Sequence, residues 1–147
     1  MARGIPEKGS LRRGCRKEGL VMRLAFASPA ASTLIDAARC WRRTRDCGEP
    51  VQPVLASAFP ASGGGFLAPA VDGLLILFEA AFRRRFEAGD PWQDALTRDE
   101  ERLLELLEHD GQAAADVRPA LAGALRAALR STRIILRLVF PGRPALR

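Results

Sequence analysis

AVDGLLILFEAAFRRRFEA, residues 70–88, decides the fold class. Val71, Leu74, Leu75, Phe78, Phe82 and Phe86 recur at steps of three and four, the spacing that stacks side chains on one face of an α-helix. Ile76 and Leu77 widen this face until the first half is apolar nearly all round, the pattern of a central, buried helix. Gly89-Asp90-Pro91 ends it.

Working outward from this helix, the same period recurs. Downstream, Thr97 and Glu100 are spaced as a capping box, in which the hydroxyl takes one unpaired amide and the carboxylate reaches back to another. A third helix follows with Leu103, Leu104 and Leu107 toward the core, ending near Gly111. Asp116 is placed to cap a fourth, with Pro119 in its first turn and Leu121, Leu125, Leu129, Leu136 and Val139 continuing the pattern to Pro141-Gly142. Upstream, Ser28-Pro29 reads as a hydroxyl cap and first helical residue, Leu34, Ala38 and Trp41 share a face, and Gly48 closes the segment. Between them, residues 48–70 carry Pro50, Pro53, Pro60, Pro69 and Gly63-Gly64-Gly65, which predicts a long Pro/Gly-rich connector with one turn around Val54–Phe59. No strand alternation competes, so the expected fold is all-α, a small bundle of about four helices.

The chain has 147 residues and is 48% hydrophobic, enough for one helical domain, expected over 22–141. Of 23 basic residues only Lys8 and Lys17 are lysine, which reads as GC-rich, bacterial coding rather than selection for phosphate contacts. Residues 1–21 hold six basic and two acidic side chains, so the rest carries only +2 of the net +6. That stretch, with four Gly and no periodicity, is expected to be a disordered basic leader, with Met22 as a candidate true start and 142–147 as a flexible tail. Its apolar run is broken by Arg23 and Pro29 before reaching signal-peptide length. Phe66–Phe82 carries Asp72 and Glu79 and stops short of about 20 residues, so no membrane span is expected and the cytoplasm is.

Two charged stripes are the sharpest surface features. Arg126, Arg130, Arg133 and Arg137 follow spacings of four, three and four on the last helix, opposite Leu125, Leu129 and Ile135. Glu101, Glu105 and Glu108 repeat the four-and-three spacing on the preceding one. The first stripe suits a partner or nucleic-acid surface and the second an acidic contact face, though a solvated helix face explains both. Chemistry is poorly represented. Cys40 and Cys47 are seven apart on one helix, about 10 Å, beyond disulfide reach. With one histidine, His109, expected to serve a helix end, neither a metal site nor a nucleophile and base pair assembles. The Gly63–Gly65 run lacks the Gly-Lys-Ser/Thr ending of a phosphate loop. Arg83-Arg84-Arg85 is read as cations at a helix C-terminus, Trp41 as core, and Trp92 as a loop residue. No catalytic residue, cofactor or metal is expected.

LTRDEERLLELL, Leu96–Leu107, resembles the first helix of the helix-turn-helix domains of bacterial response regulators and quorum-sensing activators, where a Leu-Thr pair also precedes Glu and paired leucines. That resemblance implies DNA binding through the helices at 97–108 and 116–140. The family pattern then requires a short helix and a newly capped recognition helix, whereas Asp116–Phe140 reads as one helix. The expected function is therefore protein contact, with an unidentified protein or as a homo-oligomer. A DNA-binding regulator is the alternative, and membrane-surface association through the Arg-striped last helix the third reading.

Overall fold

The computed structural model describes residues 28–112 and 115–141. The fold is all-α, and five helices and no strand occur among the described residues: α1 Pro29–Cys47, α2 Val51–Ala58, α3 Gly64–Phe82, α4 Arg98–Glu108 and α5 Pro119–Val139. The leader at 1–21 and the tail at 142–147 lie outside the described residues, as do 22–27.

α1 runs between its expected ends. Pro29 supplies the first-turn φ, and Gly48 closes the helix at φ 70°, donating to the carbonyls of Arg45 and Thr44 in the left-handed conformation glycine adopts without strain. Ser28 caps only through its backbone, its carbonyl accepting from Ser32 N while its hydroxyl makes no cap bond. The expected single turn after Pro50 is a complete eight-residue helix, because Pro53 falls in the first turn, where a missing N–H costs nothing.

α3 starts six residues earlier than the apolar period suggests and stops at Phe82. The two glycines at its start, the cap Gly63 and Gly64, are there for packing rather than flexibility. A Cβ on Gly63 would meet Val139 of α5 at 2.6 Å, and one on Gly64 would meet the Ala56 carbonyl of α2 at 2.4 Å. The helix therefore begins where two neighbouring helices close on it. At the other end Arg83 takes a left-handed φ of 55°, and the chain turns so that Phe86 enters the core from a loop, its ring edge-on to Phe78 at 5.2 Å.

α4 carries the expected capping box: the Thr97 hydroxyl accepts from Glu100 N and the Glu100 carboxylate from Thr97 N. α5 begins at Pro119 without help from Asp116, which is exposed. Arg118 holds the cap position, its N–H donating to the Ala81 carbonyl at the end of α3. Gly63 beside Val139 at one end and Ala81 bonded to Arg118 at the other make α3 and α5 an antiparallel pair, the most extensive helix packing in the fold. Leu34 and Trp41 of α1, Leu55 of α2, Leu74 and Phe78 of α3, Leu103 and Leu107 of α4 and Leu129 of α5 fill the core.

Candidate interaction surface

The polar interior is built to hold one loop. Arg39 of α1 is buried and meets the buried Glu100 through two parallel bonds, Nε to Oε1 at 2.8 Å and Nη2 to Oε2 at 2.9 Å. Its remaining donors reach the carbonyls of Asp90, Gln93 and Ala95. Glu100 in turn accepts from the amides of Gly89 and Thr97. Asp99, also buried, accepts from Glu87 N and is forked by Arg84. Glu79 accepts from Phe86 N and from Arg42. Hydrogen bonding to Glu100 raises the Arg39 pKa, and hydrogen bonding to Asp99 that of Arg84. Arg39 and Glu100 are saturated by one another and by backbone, and the three buried or half-buried carboxylates together bind the 83–97 connection to α1, α3 and α4.

Each predicted charged stripe lies along one side of its helix, and in each one residue is half-buried. Arg126, Arg130 and Arg137 are exposed on α5, whereas Arg133 is half-buried and donates to Asp110 Oδ1 at 2.5 Å. At about 100° per residue the four arginines lie beside the buried row of Leu125, Leu129, Thr132 and Leu136, toward the end of α4, rather than opposite it. Glu105 and Glu108 are exposed and Glu101 half-buried. Glu101 and Glu105 border a cleft of about 340 Å3 with Arg84, Arg98 and Arg102, where Arg102 bridges to Glu105 and Asp116. The acidic and basic stripes do not converge on one site. His109 Nδ1 lies 2.9 Å from the Glu105 carbonyl at the end of α4. Cys40 and Cys47 are free, and the described residues contain no group of three metal-ligating side chains.

What sequence reading missed is an outer face shared by α3 and α5. The two carboxylates of α3 turn sideways and are consumed there: Asp72 accepts from Trp41 Nε1 at 2.7 Å and from Gln52, Glu79 as above. The solvent side of the helix is left with Phe66, Pro69, Gly73, Ile76 and Ala80, which repeat at three and four residues and carry no charge. Phe66 is 73% and Ile76 45% exposed. On α5 the exposed strip between the arginines and α3 holds Ala124, Ala127, Ser131, Ile134 and Leu138, with Ile134 51% and Leu138 73% exposed. The two uncharged sides meet, since Phe66, Ile135, Leu138, Val139 and Pro141 line one apolar hollow of about 470 Å3. The expectation that α3 is the most enclosed helix holds for its inner face only.

Two glycines on this side lack an internal reason. Gly73 in α3 and Gly123 in α5 sit inside helices, exposed, with nothing within 4 Å of where a Cβ would stand. Each destabilises its helix by about 0.5–1 kcal/mol relative to alanine. α3, at 19 residues, is also long and apolar enough by length and composition to cross a membrane, contrary to the expectation of a shorter apolar stretch. Its Asp72 and Glu79 contacts tie it to α1 and α2 here. Compared with family models, curated proteins and solved structures, the chain matches none.

Proposed function

We propose that this chain is a small cytoplasmic helical protein that acts through protein contacts made by the α3/α5 face and performs no catalytic chemistry. One observation carries the reading: Phe66, Ile76, Ile134 and Leu138 are exposed on a two-helix surface whose nearest carboxylates are turned inward and paired. Contiguous exposed apolar surface rimmed by polar residues marks interaction sites. Free Cys40 and Cys47 fit a reducing compartment.

Membrane-surface association is the second reading, favoured by Ile134 and Leu138 standing beside the arginine stripe; it is ranked lower because Ile135 and Phe140 are half-buried. DNA binding has less support, because α5 continues unbroken from Pro119 to Val139 and packs lengthwise on α3 instead of presenting a capped recognition helix. The test is a photo-cross-linking residue at Leu138, with exposed Arg43 as control position, illuminated inside producing cells. A discrete protein adduct at 138 and none at 43 is expected. Lipid or nucleic-acid adducts alone, or none, would overturn the proposal.

A further inference from the structure

We propose that the α3/α5 face binds a second copy of this chain, in a two-fold contact that crosses the two α3 helices at Gly73. The inference rests on reading that face as a protein contact surface, and three features of the face select the occupant.

The first is its shape. The three most exposed large side chains gather at one end, Phe66, Ile134 and Leu138, with Ile76 one turn past Gly73, and the far end is small, Ala80, Ala120 and Ala124. A two-fold axis lying in the face and running across the helices sets the large end of each copy on the small end of the other, the self-complementarity an isologous contact requires. The second is Gly73. It lies midway between Phe66 and Ala80, so it falls at that axis, where the two α3 backbones approach most closely; the open space above it is where the partner helix passes. The third is extent. From Phe66 to Ala80 is about 21 Å of helix, and two helices packed about 9 Å apart present roughly 500–600 Å2 per copy once side chains are included. The pair buries about 1,000–1,200 Å2, the low end of specific interfaces, which suits a reversible dimer in the micromolar range.

The same geometry fixes the sign of the salt dependence. Stacking α5 over its two-fold copy brings the Arg126, Arg130 and Arg137 rims near each other, so added salt screens a repulsion and tightens the dimer. Anionic lipid or nucleic acid on the same arginines would be released by salt.

The test is sedimentation equilibrium of the purified full chain from about 1 to 500 µM at low and high salt, a range set by the expected affinity class. Expected are a shift from one-chain to two-chain mass, a midpoint that moves to lower concentration in salt, and a midpoint at least about tenfold higher in Gly73→Arg, with circular dichroism showing its helices retained. In a chain whose native cysteines are replaced by serine, Gly73→Cys should oxidise to a covalent dimer far faster than Arg43→Cys does, which keeps the proposal open to refutation if the Arg variant misfolds. One-chain mass throughout overturns the dimer, and so does a dimer indifferent to Gly73→Arg whose Gly73→Cys variant forms no cross-link. Salt-sensitive uptake by phosphatidylserine vesicles with no dimer also overturns it. A one-chain mass in vitro beside a protein adduct at position 138 in cells sinks the dimer alone, whereas a one-chain mass with no adduct sinks the contact surface as well.

Discussion

Arg39 and Glu100 lie 61 residues apart in the chain and meet in the interior as a two-pronged ion pair, which three loop carbonyls and two loop amides complete. The pair fastens the 83–97 connection and so sets where α4 leaves α3. Arg39→Ala strands a buried carboxylate and should lower unfolding free energy by about 3–5 kcal/mol, read by urea denaturation. Arg39→Lys keeps the charge and loses the fork, and should fall between the alanine variant and the native chain.

The pH dependence of that contribution follows from its direction. Folding raises the Arg39 pKa, so its stabilisation is fully present below the ordinary guanidinium value and is lost only as pH rises through the raised one. The stability difference between the native chain and Arg39→Gln should therefore stay constant from about pH 7 to about pH 10.

Phe78 is fully buried, with Phe82 at 4.5 Å and Phe86 at 5.2 Å between ring centroids. Phe78→Ala should cost about 3–5 kcal/mol. A melting midpoint equal to the native one would place Phe78 outside the core.

Two glycines nine residues apart in α3 should respond oppositely to alanine. Gly64→Ala drives a methyl into the Ala56 carbonyl and should destabilise by about 1–3 kcal/mol. Gly73→Ala meets open space and should stabilise the dilute chain by about 0.5–1 kcal/mol. Thermal melts at low concentration separate the two.

Much of this architecture was written in local signals. The Thr97/Glu100 box, Pro29 and Gly48 mark helix ends because the groups they satisfy lie within a turn of themselves. The misread places depend on distant partners. Gly63 and Gly64 look like a flexible connector until Val139 and Ala56 are seen against them, and Asp116 looks like a cap although Arg118 and the Ala81 carbonyl set the start of α5. Nothing near Arg39 announces Glu100. The apolar face was hidden for another reason: a helix that is apolar all round reads the same whether it is enclosed or has an inner core face and an outer unpartnered one. Only the positions of Asp72 and Glu79, both turned toward α1, separate the cases.

The most direct measurement is the labelling rate of a single cysteine on the face inside intact producing cells, in a chain whose native cysteines are replaced by serine. Leu138→Cys is compared with Trp92→Cys, which replaces a loop side chain that is 83% exposed, each normalised to the dilute purified protein. A covered α3/α5 face predicts that position 138 is labelled several-fold more slowly in cells than in dilute solution while position 92 is labelled at the same rate in both. Equal normalised rates at the two positions would contradict it.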